Sequence, residues 1–261
     1  PVRPARVAYA APTSCGTPEQ LERMSRSRNA SSPVLRQRTA SSMKERTCAA
    51  SGTTVWSYSF YQAPLQPTYN GSPVRRIIIG ISGASGSLYG YMVLQALRAI
   101  GGVETHLVLT TAARRTIELE TEMTAEDFES LADVAHRDDD LAAAVSSGSF
   151  MTEGMLIIPC SMKSASAIAY SFNSNLLVRA ADVCLKEKRR LVLVIRETPL
   201  HLGHLRTLVR LAEIGAVILP PIPAMYANPQ SVDEIIAHTV GKALDQFGIA
   251  NELFKRWRSP S

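Results

Sequence analysis

Five short strand-like segments punctuate this chain, at residues 76–81, 103–109, 155–158, 191–195 and 216–219, all but the second chiefly apolar. Runs this short and this rich in Ile, Val and Leu fit strands buried on both faces. Between the first two, Leu88, Met92, Val93, Ala96, Leu97 and Ile100 recur at helical spacing, and Gly101-Gly102 stops the helix. Further helices are predicted over 111–120, 161–170, 176–186, 201–214 and 232–247, with a short one near 125–131. The rest of 121–150 reads as acidic and irregular. Strands that alternate with helices specify an α/β fold, one doubly wound, Rossmann-like (flavodoxin-like) parallel sheet with helices on both faces. Residues 75–257 form that single domain.

Residues 1–74 read differently. The first seventy carry nine Lys/Arg against three Glu, so the remainder, with nineteen basic and twenty acidic residues, is close to neutral. The basic charge therefore belongs to the extension and gives no sign of a nucleic-acid surface on the domain. Residues 1–50 are rich in Arg, Ser, Thr and Ala and poor in acids, which is transit-peptide composition and predicts a mitochondrial destination. The alternative is a disordered extension on a cytoplasmic protein. Residues 53–70 read as an aromatic, Pro-containing linker without assigned structure. Cys15, Cys48, Cys160 and Cys184 lack metal or disulfide spacing. No apolar run approaches the roughly 18 residues of a membrane span.

Chemistry-bearing residues concentrate where the predicted strands end. Gly80, Gly83 and Gly86 lie in the turn between the first strand and its helix. Their spacing is not that of a dinucleotide fingerprint, and no acid follows the second strand to hold a ribose. A Walker lysine is also missing. The turn thus favours a mononucleotide phosphate such as that of FMN, bound by free N–H groups at the helix start, over NAD or ATP. Thr110 ends the second strand and either bonds a ligand or caps the next helix. Glu120 sits in an acidic run and reads as surface. Ser161, Met162, Lys163 and Ser164 open another helix after Pro159-Cys160, and Cys160 itself reads as a buried thiol. Arg179, Asp182 and Lys186 share one helix face, either as a phosphate grip or as a solvated ion-paired stripe. Arg196-Glu197 directly follows the apolar run 191–195, where a carboxylate raised in pKa by burial is suited to proton transfer. His201 and His204 lack a third ligand and read as structural. Tyr226 follows a Pro-stiffened loop, and Lys242 lies in the closing helix.

Together these segments resemble the UbiX-type flavin prenyltransferases, the family that includes the fungal phenylacrylic acid decarboxylase accessory proteins. The resemblance covers about residues 75–257 and rests on GISGASGSLYG, PCSMKS, NLLVRAADVCLKEKRRLVLVIRETPLHLGHL, GAVILPPIPAMY and the final RW. It implies transfer of a dimethylallyl group from dimethylallyl phosphate to N5 and C6 of reduced FMN, without a metal. The product, prenylated FMN, would serve a UbiD-type decarboxylase. The resemblance further implies that Gly83, Ala84, Ser85, Thr110, Ser161, Met162, Lys163, Ser164, Arg179 and Arg196 contact FMN. It assigns the prenyl phosphate to Lys186, Arg196, Tyr226 and Lys242. Catalytic roles fall to Ser85, Glu120, Lys186 and Glu197, with Glu197 as acid/base. Lys242 stands where an arginine is expected in some members, which keeps the charge and loses the forked geometry. The family is typically dodecameric. Two other readings compete: a non-catalytic FMN-binding or regulatory subunit, and an FMN-dependent cysteine decarboxylase. The second would need a catalytic histidine, for which only His106 and His136 are candidates.

Overall fold

The computed structural model describes residues 75–258 throughout and, ahead of them, the backbone of two strands, β1 (Met43–Thr47) and β2 (Thr54–Tyr58). The rest of the extension, including residues 1–42 with their expected disorder and transit function, lies outside the described residues. β1 and β2 pair antiparallel from Met43 opposite Tyr58 to Thr47 opposite Thr54. Sequence reading assigned no element there, although Thr, Val, Trp and Tyr are residues that favour a pleated ribbon. The chain separates into two compact units, Pro1–Thr68 and Tyr69–Ser261.

The second unit is a six-stranded parallel sheet with spatial order β5-β4-β3-β6-β7-β8. Its strands are β3 (Arg75–Ile81), β4 (Val103–Leu109), β5 (Val134–Arg137), β6 (Gly154–Cys160), β7 (Arg190–Ile195) and β8 (Val217–Ile218). The helices are α1 (Ser87–Ile100), α2 (Thr111–Glu120), α3 (Ala125–Glu129), α4 (Met162–Ala169), α5 (Leu176–Lys186), α6 (Leu202–Glu213) and α7 (Val232–Asp245). The chain starts in the middle of the sheet at β3, winds outward to β5, then crosses to β6 and winds the other way. This is the doubly wound order, and its switch point lies between β3 and β6.

Both faces of the sheet are covered, which explains the unbroken apolar runs. Ile77, Ile79 and Ile81 of β3 face a core shared with Val93, Leu94 and Leu97 of α1, Ile117 of α2 and Val240 of α7. Ile78 faces the other way, into a core with Met155 and Ile157 of β6, Ile168 of α4, Leu177 and Ala181 of α5 and Leu211 of α6. Gly90 lets α1 press onto the sheet: a Cβ there would stand 2.4 Å from Ile81 Cδ1 and 2.9 Å from the Ile158 carbonyl oxygen.

β5 is the strand that sequence reading left as irregular. Its four residues, Val134 to Arg137, are half-buried or exposed at the sheet edge, so they lack the apolar signature of the interior strands. Pairing with β4, His106 opposite Val134 through Leu109 opposite Arg137, makes the segment a strand. The other elements lie within a residue or two of expectation. At the end of β6 the register with β7 shifts between Ile157 and Cys160. Pro159, which has no N–H for the ladder, sits inside that irregularity.

Candidate active site at the carboxyl ends of the strands

The carboxyl ends of β3 and β6 meet at Ser82. The Ser82 amide and hydroxyl both donate to the Pro159 carbonyl, at 3.2 and 3.0 Å, and the hydroxyl accepts from the Ser161 amide at 2.7 Å. Ser82 is 1% exposed, so this bond set is internal. It fixes the Gly83–Gly86 turn against the start of α4 across the switch point. Ser82 lies inside the glycine turn that the sequence singles out but is not among the expected site residues. Its only signal is a hydroxyl directly after a buried strand.

The turn itself packs tightly. A Cβ on Gly83 would lie 2.4 Å from the Ala112 methyl. Gly86 has φ of 99°, a left-handed conformation that suits glycine, and it precedes α1 without a capping side chain. The cap comes from elsewhere. Glu120, the last residue of α2, accepts from the Gly86 amide at 2.9 Å and from the Ser87 amide and hydroxyl at 3.2 Å each. Ser85 adds a side-chain hydrogen bond. Partial burial raises the Glu120 pKa, but these four donors outweigh it and hold the carboxyl below its ordinary value.

This corrects two expectations. Glu120 is not a plain surface acid, and the Gly86 and Ser87 amides are not free for an incoming phosphate, because an internal carboxylate already occupies them. The cause is tertiary: the last residue of α2 meets the start of α1, a placement that no local pattern around Glu120 announces.

Hydroxyls and cations line the crevice around the turn. Thr110 Oγ1 caps α2 by accepting from the Ala113 amide at 3.0 Å. Ser161 Oγ caps α4 by accepting from Ser164 N at 3.3 Å, and it donates to Ser164 Oγ at 3.3 Å. Capping uses a hydroxyl's lone pair, so Thr110 and Ser164 each still have a proton to donate. Lys163 is exposed, whereas Met162 is 7% exposed and joins the core. Ala84 is also buried and Ser85 exposed. Arg196, half-buried at the end of β7, lies beside the turn, with its Nε 3.8 Å from where a Gly86 Cβ would stand. Its amide donates to the Cys160 carbonyl at 3.0 Å, which ties the end of β7 to β6. Glu197 is exposed and accepts from the Thr198 amide at 3.1 Å. The burial that its acid/base role calls for is thus not supplied by its own chain. The donor set fits a flat, polar ligand with an anionic tail laid across the switch point, and FMN is such a ligand. Among the described residues no group of three His, Cys, Asp or Glu side chains stands together to hold a metal.

Other expected residues lie elsewhere in the chain. Arg179, in the first turn of α5, bonds Asp182 at 3.1 Å and the Ser146 carbonyl at 3.2 Å. Lys186, at the opposite end of that 11-residue helix, pairs with Glu187. The helix rises about 16 Å over that length, so Lys186 lies toward the amino edge of the sheet. Tyr226 and Lys242 belong to a second cluster around α7, in which Tyr226 Oη lies 3.3 Å from His238 Nε2 and Lys242 Nζ 3.8 Å from Asp245. The two clusters approach each other through Tyr89 of α1, which lies in the field of Arg196 and within bonding reach of Thr239 on α7.

Burial pushes the thiols of Cys160 and Cys184 up to about 12, so neither is a nucleophile. His201 Nδ1 caps α6. His106 is 4% exposed in mid-strand, bonded to Glu104 at 2.8 Å and to His136 at 2.9 Å, which removes both histidines from the crevice.

The class follows from comparison with known proteins: the Flavoprotein family matches residues 66–244. Flavin prenyltransferase UbiX of Escherichia coli K12 is 56% identical over 187 residues, 71% of this chain and 99% of that protein. UbiX of Thauera aromatica is 54% identical over 182 residues, 70% of this chain and 93% of that protein. The chain belongs to the UbiX-type flavin prenyltransferases. Among solved structures, AnUbiX (PadA1) in complex with FMN and dimethylallyl pyrophosphate aligns with TM-score 0.70 and 46% identity, covering 72% of this chain and all of that one. A dodecameric FMN-dependent UbiX-like decarboxylase from E. coli O157:H7 aligns with TM-score 0.69 and 48% identity, covering 70% of this chain and all of that one.

Proposed function

We propose that this chain transfers a dimethylallyl group from dimethylallyl phosphate to N5 and C6 of reduced FMN, making prenylated FMN for a UbiD-type decarboxylase. The observation that carries this reading is the 56% identity across 99% of a flavin prenyltransferase, in a chain whose Arg196 lies against the Gly86 turn at the switch point. When bound, reduced flavin supplies the electron-rich N5 and C6 that take up the prenyl carbons.

The chain's own groups do the rest. Thr110, Ser161, Ser164 and the turn at Gly83, Ala84 and Ser85 orient the flavin, with Met162 and Lys163 beside it. Arg196, with Tyr226 and Lys242 and with Lys186 of a neighbouring copy, stabilises the charge that develops on the leaving phosphate. Glu197 moves protons at N5 and C6, and Glu120 with Ser85 holds the turn from the opposite side. A closed, dry site protects an allylic cation from water.

The exposed positions of Glu197 and Lys186 favour a homo-oligomer in which neighbouring copies complete each site. Leu202, Leu205 and Val209 line one face of α6 and are 47–60% exposed, an apolar stripe suited to such a contact. The Arg- and Ser-rich first fifty residues support a mitochondrial destination.

Anaerobic incubation of the protein with reduced FMN and dimethylallyl phosphate, followed by mass spectrometry of the bound flavin, tests the function. The expected result is a gain of one C5H8 unit, retained flavin but no gain for Glu197→Gln, and unmodified flavin when the prenyl phosphate is omitted. Wild-type protein that binds FMN and never modifies it would leave the binding-subunit reading.

A further inference from the structure

The loop after β8 and the segment after α7 enclose a cavity of about 200 Å³ against α7, and His238 forms part of its wall. The imidazole packs edge-on against Phe254, with ring centroids 4.6 Å apart, and its Nε2 is 3.3 Å from Tyr226 Oη. Tyr226 in turn packs edge-on against Trp257 at 5.1 Å. One helical turn beyond His238, Lys242 approaches Asp245, which Arg256 grips with two nitrogens at 2.9 and 2.8 Å. The result is a rigid aromatic frame with one phenol hydroxyl held by one imidazole nitrogen.

A phenol has a single proton to give. If His238 Nε2 carries no proton, Tyr226 donates to it and offers an outside oxyanion only lone pairs. If Nε2 is protonated, it donates to Tyr226, and the phenolic proton is free to be donated to a phosphate oxygen. We propose that His238 is the positioning residue of the prenyl-phosphate site, because the proton on its Nε2 decides whether Tyr226 can donate to that phosphate. The inference rests on the reading that Tyr226 contacts the prenyl phosphate.

The surroundings set the direction of pH dependence. His238 is faced by Tyr226 from the 3-10 turn Met225–Ala227, by Phe254 from the chain end, and by Glu234, Lys242 and Asp245 from its own helix, while Lys255 lines the same cavity. Burial, and then Lys242, lower its pKa, and Asp245 opposes them. Imidazolium always donates through Nε2, whereas neutral His238 divides between two tautomers, only one of which does. Capture of the prenyl phosphate therefore weakens as pH rises through a range below the usual imidazole value.

The test uses the full chain with Tyr226→Phe, His238→Phe and His238→Gln, measuring KM for dimethylallyl phosphate and kcat across pH, with FMN affinity followed by flavin fluorescence. His238→Phe removes the acceptor that takes the Tyr226 proton, so it is expected to keep KM near its acidic wild-type value at every pH, about three- to tenfold below wild type once His238 is neutral, with kcat and FMN affinity held. His238→Gln offers the phenol an N–H donor that does not titrate, so it should likewise give a low KM with a flat profile. In a Tyr226→Phe background His238→Phe should add nothing. A raised KM in Tyr226→Phe beside a wild-type profile in His238→Phe would overturn the role of His238 and leave that of Tyr226 intact. A wild-type KM in Tyr226→Phe would overturn the reading of Tyr226 and this inference with it, and a wild-type chain that makes no prenylated flavin would overturn the prenyltransferase reading itself.

Discussion

Glu120 ends one helix and caps the next. Its carboxylate meets the N-terminal end of α1, where an anion stabilises the helix dipole. Glu120→Gln keeps an oxygen acceptor but removes the charge. Because the side chain is exposed, solvent screening keeps the loss small, about 0.5 kcal/mol, or roughly 1–2 °C in Tm. The folded carboxyl titrates below its unfolded value. Its contribution is therefore complete above the ordinary glutamate range and is lost as pH falls through the lowered folded value. Thermal melts of the two proteins should differ at neutral pH and converge in acid. At this scale the sequence was legible in part. Thr110 and Ser161 could be placed at helix starts because capping follows from local spacing. Glu120, Ser82 and His238 take their roles from partners 33 to 79 residues away or from an aromatic frame closed by the chain end, which local spacing does not encode.

Among the elements, α1 carries the turn, and Gly90 sets its distance from the sheet. Gly90→Ala forces a methyl into Ile81 and the backbone of Ile158, so α1 must move outward. Overpacking of this kind costs about 1–3 kcal/mol, which corresponds to a fall of roughly 2–10 °C in Tm. FMN affinity should fall with it, since the turn rides on α1. Calorimetry and flavin titration check both, and an unchanged Tm would show that α1 adapts. The interior strands and all seven helices were readable because burial on both faces leaves apolar runs, and amphipathic helices leave a stripe. β5 was not, because an edge strand of four polar or half-buried residues acquires its conformation from β4. The hairpin of β1 and β2 was missed for a related reason: each strand is defined by its partner.

At the scale of the whole molecule, the stripe of Leu202, Leu205 and Val209 on α6 is one apolar surface left exposed among the described residues. Leu205→Glu should dissociate the proposed homo-oligomer while leaving the monomer folded, since Leu205 is 47% exposed and contributes little to the core. Light scattering coupled to gel filtration reads the change, and an unaltered mass would place the contact elsewhere. The two halves of the sheet, by contrast, are joined within each copy. The buried Ser82 hydroxyl, at the end of β3 in one half, donates to the Pro159 carbonyl of β6 and accepts from the Ser161 amide at the start of α4, both in the other half. The gap that receives the flavin is consequently gauged as the chain folds, before any ligand arrives. Little ordering entropy remains to be lost on binding, and isotherms for FMN should show a modest entropic penalty, the thermodynamic mark of a preorganised slot.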